Sequence, residues 1–169
     1  KINGIAVSVP QGSTVLEAAR VAGVEIPTLC FMKEKNEIGA CRICVVEATG
    51  ARGLVTACVY PVTEGMAIQT NTPKVRAARK TTLELILSTH NCDCVACVRS
   101  GNCALQTIAN DLNIRTVHYE TKPARNDWDE TLPLQRDASK CISCMRCVNV
   151  CDRLQGLSVW EVNGSGSRA

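Results

Sequence analysis

The feature that most constrains this chain is the run Cys141, Cys144, Cys147 and Cys151, spaced C-x2-C-x2-C-x3-C, with two further cysteine groups ahead of it that bring the total to 12 in 169 residues. A segment carrying thiols at that density folds around whatever the thiols bind. Aromatic residues are only 3% of the chain, so it lacks the bulky side chains that normally fill an interior. Metal clusters would supply the missing cross-links in a few small modules that cannot each build a large apolar core.

Several classes of protein are excluded at this level. No run approaches the roughly 20 apolar residues that a bilayer helix needs, and no basic region followed by an apolar stretch opens the chain. The expectation is therefore a cytoplasmic protein without direct membrane insertion, where a high cysteine count points to metal or redox chemistry more than to disulfides. The net charge of +3 says little about partners, because ligating thiolates and the cluster they hold enter the count. Lys74, Arg76, Arg79 and Lys80 form a basic run, but it opens an amphipathic helix without interleaved aromatics and reads as a solvated face, with no nucleic-acid partner. Gly164-Ser165-Gly166 lacks the strand-to-helix context of a dinucleotide fingerprint, and His118 has no neighbouring nucleophile. Trp128 and Trp160 read as packing or interface residues. The chain opens at Lys1 inside a strand-like segment and ends on a Gly/Ser tail, so both ends read as cut, the tail being a linker or a loop leading onward.

The first candidate ligand set is Cys30, Cys41, Cys44 and Cys58, spaced C-x10-C-x2-C-x13-C. Zinc accepts a C-x2-C pair, but two single cysteines on separate flanks suit a plant-type 2Fe-2S ferredoxin module better, although its usual first spacing is shorter. Gly39, in the loop Glu37-Ile38-Gly39-Ala40-Cys41, would let main-chain amides approach the cluster. The second set is His90, Cys94, Cys97 and Cys103. One imidazole among three thiolates removes a negative charge and alters the potential of a cluster; Cys92 in the same loop is a bystander thiol or a rival to His90. The third set, Cys141, Cys144, Cys147 and Cys151, has the spacing of bacterial 4Fe-4S ferredoxins, in which the fourth cysteine serves a second cube. No second run follows here, Asp152 stands where proline often does, and the third set is short of a ligand as written.

Around these sets the pattern is α+β. Residues 1 to 71 form the first module: a tight turn at Asn3-Gly4 with Ile5, Val7 and Val9 alternating after it, a helix capped by Ser13 or Thr14 and ended by Gly23, and strands at 44 to 47, 54 to 58 and 66 to 69. This order suits a β-grasp sheet over one helix. Residues 72 to 118 form a small helical His/Cys module, with Val75, Ala78, Leu83, Ile86 and Leu87 at helical spacing after Pro73, and a second helix from about Cys103 to Leu112. Residues 119 to 138, with Pro123 and Pro133, read as an irregular connector. Residues 139 to 169 begin a bacterial ferredoxin-like module, with a helix after Cys147. Each module is expected to close mostly on its own set.

The three sets in this order resemble the N-terminal accessory region of the iron-only (FeFe) hydrogenases, especially the NAD(P)-linked multisubunit type, and the large iron-sulfur subunit of NADH dehydrogenase (complex I). Asn102-Cys103-Ala104-Leu105-Gln106 and Ser139-Lys140-Cys141-Ile142-Ser143-Cys144-Met145-Arg146-Cys147 are similar to that family's wording, and Leu154 to Trp160 lean toward the hydrogenase branch. The resemblance implies a 2Fe-2S cluster on the first set, a 4Fe-4S cluster with one histidine ligand on the second, and three corners of another 4Fe-4S cluster on Cys141, Cys144 and Cys147. It also implies partners that are redox subunits, binding flavin or NAD(P) or carrying further iron-sulfur clusters, and a relay of single electrons toward a hydrogen-activating site. Complex I or a related formate dehydrogenase is the alternative parent, and a zinc-stabilised interaction module a remote one. No catalytic site lies in this segment.

Overall fold

The structure, a computed structural model, describes residues 1–119, 131, 133 and 135–162. Trp128, Pro123 and the Gly/Ser tail lie outside the described residues. The architecture is small α+β. Helix α1 (Val15–Val21) is followed by strands β1 (Val45–Ala48), β2 (Val55–Thr56) and β3 (Ile68–Gln69), then helices α2 (Pro73–Ser88), α3 (Ala104–Asp111) and α4 (Arg146–Arg153). The three strands form one antiparallel sheet in the order β2-β1-β3.

Helix α1 starts where the sequence places a cap. Thr14 Oγ1 accepts from the Glu17 N–H at 3.2 Å, and Glu17 Oε2 accepts from the Thr14 N–H at 2.9 Å, a reciprocal capping box. Val15, Leu16, Ala18 and Ala19 are buried against the sheet, and Gly23, at φ +70°, lets the chain leave the helix. Helix α2 is capped by Thr72 with Pro73 in its first turn, where the missing N–H costs nothing. Its buried stripe is Val75, Arg79, Leu83 and Glu84, the spacing of one helical face.

Two expectations are corrected. The turn at Asn3-Gly4 forms, with Ile2 and Ile5 exchanging main-chain hydrogen bonds of 2.8 and 2.9 Å. The alternating segment after it does not enter a ladder: the edge of β3 is taken by Lys1 to Asn3, through a parallel bridge between Ile2 and Ile68. Val7 and Val9 only pack their side chains onto the core. The second correction concerns the basic run on α2. Lys74 is exposed and pairs with Glu47 at 3.7 Å, but Arg79 is turned inward and only 6% exposed, because it falls four residues after Val75 and four before Leu83 on the buried stripe.

Among the described residues the apolar interior has two parts. One lies between α1 and the sheet, where Ile2, Leu16, Val46 and Ile68 meet Cys44 and Cys58. The other joins segments remote in sequence: Leu29, Cys30, Cys41 and Ile43 from the first cysteine region, Leu83 from α2, and Leu105 and Ile108 from α3, with Cys103, Ile142 and Cys144 packed on it. Each fully buried aliphatic side chain contributes about 1.5–3 kcal/mol. The cysteine regions therefore share a core instead of each closing on itself.

Candidate metal centres

The four cysteines of the first set are the most deeply placed. Cys30, Cys44 and Cys58 are each 1% exposed and Cys41 7%. Their sulfurs stand in pairs: Cys44 Sγ lies 3.3 Å from Cys58 Sγ, while the Cys30 and Cys41 main-chain N–H groups donate to each other's sulfur at 3.4 and 3.5 Å. In the metal-free protein each pair divides its protons unequally. The Cys30 thiol donates to Cys41, and this bond, with main-chain N–H groups of Ile43, Cys30 and Leu29, draws Cys41 toward thiolate against the effect of burial. Cys30 is correspondingly pushed up, and Cys58 is pushed up as Cys44 is drawn down. Amides converging on buried sulfur are the donor set that an iron-sulfur cluster uses. Gly39, at φ +64°, allows the close approach: a Cβ there would meet Val59 at 3.3 Å, beside Cys58 on the opposite flank.

The second set surrounds a cavity of about 300 Å3 whose lining includes His90, Cys92, Cys94, Cys97 and Cys103. His90 follows the end of α2, and Cys103 is the N-cap of α3. Nδ1 of His90 is buried without a hydrogen-bond partner, and burial, helped by the charge of Lys140, holds the imidazole below its ordinary pKa. A neutral ring with an unsatisfied buried nitrogen is what a metal ligand requires. Cys92 lines the same cavity, but its thiol donates to the His90 carbonyl at 3.4 Å and burial keeps it protonated.

In the third set Cys141 and Cys147 are exposed and Cys151 is buried. Ser143 and Met145, at φ +50° and +63°, flank Cys144 and wind the loop by a left-handed geometry that ordinary side chains adopt only under constraint. Cys147 and Cys151 lie one turn apart on α4. Among the described residues no three histidine, cysteine or carboxylate side chains close on a point for a single ion.

Residues that sequence reasoning passed over tie these regions together. Asn36, fully buried, donates through Nδ2 to the carbonyls of Cys30 at 2.7 Å and Cys144 at 2.9 Å, and its Oδ1 accepts from Asn149. Arg146 donates to the carbonyls of Cys30 and Phe31 at 3.0 and 2.9 Å. Lys140 donates to those of Asn91 and Asp93 at 2.9 and 3.1 Å, joining the second and third regions. In sequence these are polar loop or helix-end residues without a pattern that marks them. His118 binds buried Glu84 at 3.1 Å, an anchor for α2, and half-buried Trp160 carries the Arg136 guanidinium 5.9 Å from its ring centroid.

Residues 1–73 match the family described as "2Fe-2S iron-sulfur cluster binding domain", and residues 79–118 match the "NADH-ubiquinone oxidoreductase-G iron-sulfur binding region". The chain is 42% identical to the NADP-reducing hydrogenase subunit HndD of Solidesulfovibrio fructosivorans over 94% of its own length and 28% of that protein's. It is 34% identical to the mitochondrial NADH dehydrogenase (ubiquinone) iron-sulfur protein 1 of Solanum tuberosum, over 98% of the chain and 23% of that protein. Against these two relatives it spans less than a third of their length. It is also 31% identical to the gamma subunit of the NAD-reducing hydrogenase HoxS of Cupriavidus necator, covering 98% of the chain and 70% of that subunit. A crystal structure of an NAD+-reducing [NiFe]-hydrogenase in the H2-reduced state superposes with a TM-score of 0.87 at 30% identity, over 99% of this chain and 70% of that one. With 2Fe-2S and 4Fe-4S binding regions in sequence and relatives of this kind, the chain belongs to the family of iron-sulfur electron-transfer regions that includes the HoxS gamma subunit, HndD and the iron-sulfur protein 1 of NADH dehydrogenase.

Proposed function

We propose that this chain relays single electrons between a flavin- or NAD(P)-binding partner and the hydrogen-activating subunit or domain of a cytoplasmic hydrogenase. In this reading Cys30, Cys41, Cys44 and Cys58 hold a 2Fe-2S cluster in a β-grasp ferredoxin module of residues 1–71, and His90, Cys94, Cys97 and Cys103 hold a 4Fe-4S cluster in a module of residues 72–118. After a connector of residues 119–138, Cys141, Cys144 and Cys147 supply three corners of another 4Fe-4S cluster in residues 139–169. Cys151 points onward to a further cube. The bound clusters supply one-electron redox chemistry; the chain orients them, excludes water and sets the charge around them.

The observation that carries the reading is the shared core on which Cys30, Cys41, Cys103 and Cys144 all pack: at least one cysteine from every set meets the same apolar cluster, as stepping stones in one path require. The match of residues 79–118 to the NADH-ubiquinone oxidoreductase-G region favours, as a second reading, the same relay in a complex I type or formate dehydrogenase assembly. Iron and acid-labile sulfide analysis of anaerobically prepared full-length chain, with electron paramagnetic resonance, tests the proposal. One 2Fe-2S and at least one 4Fe-4S signal are expected. Zinc in place of iron overturns the relay, and about ten irons in the isolated 169 residues, from one 2Fe-2S and two 4Fe-4S clusters, would mean that Cys151 closes its own cube.

A further inference from the structure

Arg79 is the one member of the basic run on α2 that is buried, at 6% exposure. Its Nη2 donates to the carbonyl of Val45 at 2.8 Å, the residue after Cys44, while its Nε is buried with no hydrogen-bond partner. No carboxylate pairs with it among the described residues; Glu47 is taken by Lys74, and Glu84 by His118. A guanidinium does not escape an apolar site by losing its proton at ordinary pH. An unpaired charge in such a place is strongly disfavoured unless an opposite charge lies nearby.

The opposite charge belongs to the first cysteine set. The Val45 carbonyl that Arg79 holds is next in the chain to Cys44, itself 1% exposed, so the buried guanidinium lies on the main chain that carries this ligand. In a 2Fe-2S cluster, four thiolates and two sulfides outweigh two ferric ions, and reduction adds one electron without a compensating proton. A fixed positive charge beside one ligand therefore favours the reduced state more than the oxidised one.

We infer that Arg79 is the internal counter-charge of the 2Fe-2S site, a positioning residue that raises the potential of the cluster held beside β1. The inference rests on the cluster assignment proposed above. It distinguishes Arg79 from a strut that merely ties α2 to the Val45 carbonyl, because a counter-charge stabilises the protein only when the cluster is present. In the iron-free chain the same guanidinium is a burden.

The test uses the full native chain, wild type, Arg79→Met and Arg79→Lys, with the 2Fe-2S midpoint potential read by electron paramagnetic resonance titration and thermal stability read with and without iron. Arg79→Met is expected to disfavour reduction at least tenfold, a fall of about 59 mV for a one-electron couple, and Arg79→Lys to retain most of the wild-type potential. Iron-free Arg79→Met should be as stable as the iron-free wild type or more so, while the loaded variant is less stable than the loaded wild type. If Arg79→Met assembles no cluster, retention of cluster and potential by Arg79→Lys carries the inference, and loss in both overturns it. Equal potentials in wild type and Arg79→Met, or an equal loss of stability with and without iron, also overturn it. A wild-type chain with no 2Fe-2S signal overturns the cluster assignment itself, a different result from a wild-type cluster whose potential ignores Arg79.

Discussion

His90 shows how far one residue could be read before its surroundings were known. Its place before three cysteines marks it as a candidate ligand, and Cys92 two positions on is a rival by spacing alone. The fold separates them physically: His90 keeps a buried, unpartnered nitrogen beside the cavity, while the Cys92 thiol is engaged with a carbonyl. With an imidazole ligand the shell carries one less negative charge than with four thiolates, so His90→Cys is expected to retain a cluster of lower potential. Redox titration of the variant checks this. An unchanged potential, together with loss of the cluster in Cys92→Ser, would transfer the ligand role to Cys92.

At the level of elements, helix starts were legible because they are written in local chemistry. Thr14 with Glu17 satisfies main-chain groups within a few residues of itself, and Pro73 stands in the first turn, where its missing N–H costs nothing. Thr14→Ala should cost about 1 kcal/mol in a urea titration. Glu17 adds a pH dependence: the Thr14 main-chain N–H, above all, holds its carboxyl below the ordinary value of 4.5. Its folded pKa lies under the unfolded one, so its contribution is present above 4.5 and is lost as pH falls through the depressed value. Acid titrations of wild type and Glu17→Gln should therefore diverge above that range and converge below it; parallel curves throughout would remove Glu17 from the cap. The segment from Ile5 to Val9 was less legible, since alternation shows which side chains face inward but not whether a strand edge is free to receive the backbone.

For the whole molecule, the junction at Asn36 matters most. It joins the main chain of Cys30 to that of Cys144 and engages Asn149 on α4, so Asn36→Ala takes the donor from the Cys144 carbonyl, at about 1–3 kcal/mol for a group that loses its partner, while the Cys30 carbonyl keeps Arg146. The expected outcome is faster hydrogen exchange across residues 141–151 with the 2Fe-2S signal retained; protection equal to wild type would show that Arg146 alone holds the regions together. Independent modules, the expectation from sequence, would leave residues 141–151 untouched by a change at Asn36. The cysteine spacings, the α+β pattern and the helix caps were determined by the sequence itself, because metal-ligand geometry and hydrogen-bond satisfaction act over a few residues. Which basic side chain turns inward, which polar loop residue becomes a junction and which cysteines share a core were decided only in the tertiary structure. Those choices depend on contacts between residues 34 to 108 positions apart, and burial then forces each polar group to find its partner wherever the fold has brought one.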